Sequence, residues 1–463
     1  MHRADPSLES EFEQYTGVVR TRAACLKRSG DYNFCDWEVD GSSTGGDPDL
    51  FKFFVERAHK ILRIGGRLGF LVPSAIYNNE GCTGLRHLML DESEVRAFYG
   101  FENRKKIFNI HSSYKFVCLV LEKKSQVPDK DVEFRAAFMR HDVAELEQGP
   151  PKGVQVLIKR SELEKLSPGT LAFLEYRSER DREIVLKMYG LLPDMQPLPL
   201  LGDQGPGTWN AKFYREFDMT NDRDLWTKPN GKLWTPKEVC GLDWPADPSI
   251  PFADVRTAMC TKGFWPLYEG KHIEQFLVDT KPIERWVSIA AAEKKNGRSP
   301  DPGSKLVFRD IARNTDERTC IAAVLPEKSC SGNTLATLKS SALPENMIAA
   351  ILNSFAIDFL MRLKIAGTHL NWTYVSRVAV PPASDIKPAS TYSSLELNGS
   401  QAIADCAQLF STIWLSNKSV ARAYGLSPDD FAHILSTFPV FARKRPAFYA
   451  YLMDKVREWK CGK

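Results

Sequence analysis

The segment that decides the fold is DLFKFFVERAHKILRIGGRLGFLVP, residues 49–73. Its first fourteen residues repeat apolar side chains at helical spacing and predict an amphipathic helix. The pair Gly65-Gly66 follows, at a position typical of the end of a helix. RLGFLVP then predicts a short apolar strand that ends at its proline.

The same pattern continues toward the C-terminus. A second helix is predicted over residues 83–90, and VRAFYGF (95–101) and KFVCLVLEK (115–123) predict two more strands. Helix, glycine turn, strand, helix and strand follow one another as in a doubly wound sheet. We expect the last two strands to form a hairpin at the edge of that sheet. The predicted fold class is α/β, with a partial Rossmann-like sheet.

Changes in composition divide the chain into four predicted segments. A sheet-forming domain over 1–125 is followed by a more polar connector over 126–205. A mixed α+β domain follows over 206–385, and a Ser-rich linker with a helical tail over 386–463. Within the third segment, KLVFRDIARNTDERTCIAAVLP predicts two strands joined by a polar loop, and PENMIAAILNSFAIDFLMRLKI predicts one helix.

Composition excludes several classes of protein. The 62 Lys and Arg against 58 Asp and Glu give a net charge of +4, which neither demands nor excludes nucleic acid. No apolar run of membrane-spanning length occurs, and the N-terminus lacks the apolar core of a signal peptide. The ten cysteines form no CxxC pair. We therefore expect a cytoplasmic protein with free thiols and no metal site.

Residues 49–74 and FYGFENRKKIFNIHSSYKFVCLVLEK, 98–123, resemble the adenine-N6 DNA methyltransferases of the TaqI-like group. The resemblance is closest to their large relatives in type IIG, type ISP and BREX phage-defence systems, and it extends from about residue 10 almost to the C-terminus. It implies S-adenosylmethionine as cofactor, double-stranded DNA as partner, and site-specific methylation of adenine in restriction-modification or phage defence. Later segments with the same likeness are SELEKLSPGTLAFLEYRSERDREI, WPLYEGKHIEQF, ARNTDERTCIAAVLP, LNSFAIDFLMRLKIAGTHLNW and AYGLSPDDFAHILSTFPVFARKRPAFYAYL.

Two motifs of these enzymes do not occur in the sequence. They are the Gly-rich turn that binds S-adenosylmethionine and the catalytic tetrapeptide [NDS]-P-P-[YFW]; the two Pro-Pro pairs follow Gly149 and Val380. The chain thus resembles the C-terminal part of the enzymes of this family, and we expect it to be N-terminally truncated and inactive alone. Two alternatives stay open. One is a DNA-recognition module or split subunit that completes a separately encoded catalytic half, and the other is a decayed fragment.

Two aromatic residues carry the predicted methyltransferase chemistry. By resemblance, Phe108 stacks on the adenine that is flipped out of the duplex. The matching aromatic near the cofactor is Phe54, with Asp49 beside it. The alternatives are a core position at a strand end for Phe108 and a core position on a helix face for Phe54.

Basic and amide side chains are the predicted DNA contacts. Those around Phe108 would contact phosphates, unless they form an ordinary solvated face. The third segment would be the target-recognition domain, in which Arg, Lys and Asn read base edges. In the ARNTDER loop the alternative is a local network of ion pairs and turns. The candidates are Lys105, Lys106, Lys115, Lys271, Arg309, Arg313, Asn314 and Arg318.

Overall fold

The computed structural model describes residues 6–39, 41–44, 48–125, 131–297, 299–365, 367–386 and 406–462. The chain divides into two compact units, Met1–Glu183 and Ile184–Lys463. The predicted Ser-rich linker lies largely outside the described residues. The roles assigned to the four predicted segments stay predictions.

The first unit is a mixed α/β structure, as the sequence predicts. Its helices are α1 (Pro6–Arg28), α2 (Leu50–Ile61), α3 (Ala75–Asn78), α4 (Thr83–Asp91), α5 (Glu145–Gln148), α6 (Arg160–Leu166) and α7 (Glu179–Met188), within which the division between the units falls. Its strands are β1 (Glu38–Val39), β2 (Ser42–Ser43), β3 (Arg67–Pro73), β4 (Ser93–Glu102), β5 (Lys115–Lys123), β6 (Glu133–Arg140) and β7 (Val156–Lys159).

Five of these strands form one sheet in the order β3-β5-β4-β6-β7. Strand β5 runs antiparallel to both of its neighbours, β4 and β6 are parallel, and β6 and β7 are antiparallel. The predicted helices and strands between residues 49 and 123 are confirmed to within a few residues. The antiparallel β4–β5 pair is also confirmed. It does not lie at the edge, because β6 and β7 extend the sheet beyond β4 and β3 flanks β5 on the other side.

Helix α2 is joined to β3 by the glycine turn that the sequence predicts. Gly65 adopts a φ of +74°, which an L-residue rarely adopts, and its N–H donates to the carbonyl of Lys123 at the end of β5. The turn therefore aligns β3 with β5 from their first pair, Arg67 with Glu122. Helix α2 packs against β3 and α4 through a buried face that includes Phe53 and Val55.

The second unit contains a four-stranded antiparallel sheet, β14-β13-β16-β8, and a three-stranded sheet, β12-β9-β15. Strands β10 and β11 form a separate hairpin. The polar loop predicted between two strands is confirmed, because it joins β13 to its antiparallel neighbour β14. The strands are β8 (Lys212–Tyr214), β9 (Phe264–Tyr268), β10 (Ile273–Glu274), β11 (Leu277–Val278), β12 (Trp286–Ser288), β13 (Lys305–Arg309), β14 (Ala322–Leu325), β15 (Cys330–Ser331) and β16 (Leu335–Lys339).

Helices form the remainder of the second unit, and its C-terminal part is helical as predicted. No single helix in the described part of the chain is long and apolar enough to cross a membrane; one bent pair, α11 with α12, passes by length and composition when taken together. The helices are α8 (Pro236–Cys240), α9 (Phe252–Thr261), α10 (Ile289–Asn296), α11 (Glu345–Leu352), α12 (Phe355–Lys364), α13 (Trp372–Ser376), α14 (Cys406–Ala423), α15 (Pro428–Ser436), α16 (Pro439–Lys444) and α17 (Pro446–Lys460).

The single helix predicted over 344–365 is wrong, because two helices stand there with a bend of 63° between them. Ser354 caps the second helix by accepting from the N–H of Ile357. Asn353 makes two hydrogen bonds across to β14: its Oδ1 accepts from the N–H of Ala322 at 2.9 Å, and its Nδ2 donates to the same residue's carbonyl at 2.8 Å. With these two bonds, the side chain of Asn353 pairs with Ala322 as the main chain of an adjacent strand would. A helix that continued through Asn353 would not allow this pairing.

Replacing this asparagine tests its contribution to stability. Asn353→Ala leaves a buried N–H and a buried C=O of Ala322 without their amide partner, so we expect the free energy of unfolding to fall by about 2 to 4 kcal/mol. Urea unfolding of the full chain measures this loss. Asn296→Ala, at an exposed helix end, is the control and should change stability by less than about 0.5 kcal/mol. Equal stability of the two variants would contradict the assignment.

Candidate methyltransferase and DNA-binding sites

The loop between β4 and β5 presents the aromatic residue that the resemblance places in the active site. Phe108 is 40% exposed, and its ring meets Phe116 edge-on, with centroids 5.1 Å apart. Asn103 is buried at the start of this loop, where its side-chain amide bonds to the main chain of Phe108. The ring of Phe108 therefore stands on a structured loop and keeps part of its surface accessible.

Two of the three predicted basic contacts near Phe108 lie on the surface. Lys105 is exposed and pairs with Asp142 at 2.7 Å. Lys106 is exposed, adopts a φ of 54°, and donates from Nζ to the carbonyl of Ile110 at 3.2 Å. An exposed ion pair contributes little to stability and opens at small cost, so both ammonium groups remain accessible to a phosphate.

The third, Lys115, lies in a different environment. Its ammonium is buried in an ion pair with Glu175, at 2.9 and 2.6 Å from the two carboxylate oxygens. The hydroxyl of Tyr77 donates to the same carboxylate at 2.6 Å. A phosphate contact by Lys115 would require this buried pair to open, at a cost of several kcal/mol. The structure thus places Lys115 beneath the loop.

The predicted cofactor residues lie on the outer side of α2. Phe54 is 61% exposed, so it does not pack into the core of the described unit. Leu50 and Ile61 are exposed on the same stripe of the helix. Asp49 precedes the helix, is exposed and makes no side-chain cap. Phe54 could supply one wall of a cofactor pocket, but these residues do not form a complete site for S-adenosylmethionine.

The edge strand next to α2 also has an exposed apolar surface. Within the described residues β3 pairs with β5 alone, so its other edge is open. Leu68 and Val72 are buried, whereas Leu71, on the opposite face of the strand, is 58% exposed. An open strand edge beside exposed apolar side chains is a surface that proteins normally cover.

In the second unit, two of the predicted base-reading residues engage neighbouring groups. Lys271 pairs with Glu284 at 2.9 Å. Arg309 donates to the carbonyl of Ile273 through Nη2. Both side chains are partly exposed.

The ARNTDER loop is fixed by α12. Arg318 forms a buried ion pair with Asp358, at 2.5 Å from Nε. Asn314 is buried, and its carbonyl accepts from Arg362 at 3.1 Å. Arg313 is exposed, and its backbone N–H donates to the carboxylate of Asp316 in a local turn. Of the three predicted contacts in this loop, Arg313 is the one on the surface.

A basic run near the C-terminus, residues 443–445, lies beside this loop. This proximity was not predicted from the sequence. Glu317 accepts from Arg445 Nε at 3.0 Å and lies 3.5 Å from Lys444 Nζ. Arg443 is exposed next to them. These exposed cations thus lie beside the loop that carries Arg313, although more than 120 residues of sequence separate the two segments.

Within the described residues, no group of three or more His, Cys, Asp or Glu side chains is arranged to hold a metal ion. The arrangement that the structure does provide is an exposed aromatic ring with two accessible ammonium groups in the first unit. The second unit adds a separate basic surface. These are features for stacking on a base and for contacting phosphates.

Residues 29–108 match the family described as Eco57I restriction-modification methylase. None of the curated proteins matches the chain. The match supports a DNA methyltransferase-like role, and methylases of this kind use S-adenosylmethionine-dependent chemistry in general.

Several solved structures of restriction-modification enzymes are similar to the chain. The type IIL restriction-modification enzyme MmeI in complex with DNA is 12% identical, with a TM-score of 0.43, over 85% of this chain and 52% of that one. The type IIG restriction endonuclease BpuSI is 10% identical, with a TM-score of 0.29, over 81% and 49%. The ATP-dependent type ISP enzyme LlaBIII bound to DNA is 10% identical, with a TM-score of 0.35, over 74% and 25%. The chain thus spans about half or less of the length of these enzymes.

The base of the Phe108 loop makes a testable contribution to acid stability. Burial acts to raise the pKa of the Glu102 carboxyl, but the hydrogen bonds from Arg104, at 2.5 Å, and His141, at 3.0 Å, outweigh it and lower the pKa. At pH values above 4.5, the ordinary pKa of a glutamate, the ionised carboxylate therefore stabilises the fold. This contribution is lost as the pH falls through the lowered pKa of Glu102.

We expect Glu102→Gln to flatten the acid limb of the pH–stability curve. The measurement is urea unfolding of the full chain at pH values from about 6 to about 3. Glu94→Gln, at a half-exposed position of the same strand, should keep the wild-type dependence. An unchanged acid limb in Glu102→Gln would show that this carboxylate does not carry the effect.

Proposed function

We propose that this chain is part of an S-adenosylmethionine-dependent adenine-N6 DNA methyltransferase that works in the cytoplasm in restriction-modification or phage defence. The observation that carries the proposal is the family match over residues 29–108, which ends at the exposed Phe108. In this proposal Phe108 stacks on the flipped adenine, and Lys105 and Lys106 contact the adjacent phosphates.

The reaction explains why these features belong together. The amino group of the target adenine is inside the duplex, so the base must be rotated out and held. An accessible ring on a structured loop supplies a stacking surface that is already in place, which lowers the entropic cost of holding the base. Exposed ammonium groups next to the ring hold the backbone on either side of the extruded nucleotide.

The methyl donor and the group that polarises the adenine are assigned to another segment. The sequence contains neither the Gly-rich turn nor the [NDS]-P-P-[YFW] tetrapeptide. We propose that a segment bearing both motifs adds a strand to the open edge of β3 and covers Leu71, Leu50 and Phe54. That segment belongs either to a separate subunit or to the same polypeptide. The Rossmann-like methyltransferase sheet is completed only by this addition.

The second unit is assigned to DNA recognition. Arg313 and the neighbouring run of Arg443, Lys444 and Arg445 form an exposed basic surface, which suits phosphate contact. Lys271, Arg309, Asn314 and Arg318 remain candidates for base reading, although Asn314 and Arg318 are held by buried partners. The absence of the two motifs from the sequence also favours a second candidate function, a DNA-recognition module or split subunit without catalytic activity of its own.

Calorimetric titration of the full chain with S-adenosylmethionine tests the proposal that the cofactor site is completed by another segment. We expect no heat of binding, because Phe54 and Asp49 supply only one side of a pocket and the Gly-rich turn is missing. Stoichiometric binding would contradict the proposal that a second segment carries the cofactor site. Methyl transfer to duplex DNA would then be assayed with this chain alone.

A second prediction concerns base stacking. A duplex with one unpaired adenine lowers the cost of flipping, so the full chain should prefer it over the fully paired duplex. Phe108→Ala should remove about 1 to 3 kcal/mol of that preference, the value of one stacked base. Fluorescence anisotropy at fixed salt concentration measures both affinities. Ile61→Ala, an exposed apolar residue on α2, should keep the preference. Loss of the preference in both variants, or in neither, would contradict the stacking role.

A further inference from the structure

We propose that Asn103 is a positioning residue: it holds the loop between β4 and β5 in the conformation that presents Phe108 to a flipped base. The inference rests on the proposed stacking role of Phe108 and adds a residue to which no role has been given. It depends on the hydrogen bonds of one buried amide and on the exposure of the loop around it.

The side chain of Asn103 is fully buried and bonds across the loop in both directions. Its Oδ1 accepts from the N–H of Phe108 at 2.9 Å. Its Nδ2 donates to the carbonyls of Phe108 at 2.9 Å and Ile110 at 3.1 Å, and lies 3.3 Å from that of His111. The side-chain amide of Asn103 thus links the first residue of the loop to three residues near its tip. Its Nδ2 serves as the donor and its Oδ1 as the acceptor.

The main chain of Asn103 closes the loop at its base. Its N–H donates to the carbonyl of Tyr114 at 2.9 Å, and its carbonyl accepts from the N–H of Lys106 at 2.9 Å. Lys106 adopts a left-handed conformation at this turn. The side chains at the tip, by contrast, are partly open to solvent: Phe108 and Ile110 are both exposed. Besides the edge-on contact of Phe108 with Phe116, the tip is therefore held mainly by the amide beneath it.

The chemistry of the amide is specific to asparagine. An aspartate has nearly the same shape and can still accept from the N–H of Phe108, but it has no Nδ2 donor and would set a carboxylate against three carbonyl oxygens. Alanine removes both interactions. Ordering a flexible tip when a base stacks on it costs conformational entropy, and this cost weakens binding. A tip that is already fixed before the base arrives avoids this loss of affinity. Loss of the amide should therefore weaken stacking without removing the ring.

The first experiment measures the loop itself. Hydrogen–deuterium exchange of the full chain is followed over the peptide that contains residues 104–114. We expect Asn103→Ala to accelerate exchange at Phe108 by about tenfold or more, as for one lost hydrogen bond. Asn109→Ala, an exposed asparagine of the same loop, should leave exchange unchanged. Unchanged protection in Asn103→Ala would overturn the inference, whatever the function of the loop.

The second experiment tests whether Asn103 acts through Phe108. The affinity for a duplex with one unpaired adenine is measured for Asn103→Asp, Phe108→Ala and the double variant, as in a double-mutant cycle. We expect Asn103→Asp to lose at least about fivefold in affinity, and to cause no further loss when Phe108 is already alanine. Additive losses would mean that Asn103 acts by another route, and the inference would fail.

The outcomes separate this inference from the proposed function. If Phe108→Ala weakens binding and Asn103→Asp does not, the positioning role is wrong and the stacking role stands. If Phe108→Ala has no effect, the stacking role fails, and with it the functional part of this inference. The thermal unfolding midpoint is recorded for every variant, and Asn103→Ser, which retains one small donor and acceptor, replaces Asn103→Asp if the latter does not fold.

Discussion

The insertion of β5 between β3 and β4, antiparallel to both, is the constraint on which the first unit depends. It aligns the end of β4 with the start of β5, so that Glu102 pairs with Lys115 and the intervening loop must turn back within a short span. It also brings Lys115 over Glu175, and the resulting buried ion pair fixes the strand under the loop. The position of Phe108 is thus a consequence of strand order.

Local patterns in the sequence were sufficient to predict α2, β3, α4, β4 and β5, because each has a clear apolar period or a glycine or proline at its end. They were not sufficient to place β5 inside the sheet, since strand order depends on contacts that no local pattern records. The same limit explains the error at Asn353, where a helical period continues through a residue whose side chain is needed by β14.

In the candidate sites, too, the sequence gives the type of each residue but not whether its side chain is buried or exposed. Arg and Lys are the side chains expected at a DNA surface, but Lys115 and Arg318 lie in buried pairs with carboxylates distant in sequence. Arg313 and Lys105 have the same chemistry and lie at the surface. Asn103 lies in the segment that resembles the methyltransferase family, but the sequence does not show which main-chain groups its side chain contacts. Its contacts become visible only when both strands are in place.

The open edge of β3 has a consequence for the fate of the chain in the cell. Within the described residues, the outer edge of β3 pairs with no strand and lies beside exposed Leu71 and Phe54, and such an edge is open to pairing with other chains. Quality-control proteases and chaperones act on chains that expose such surfaces. The lifetime of this chain in the cell would therefore depend on whether that edge is covered.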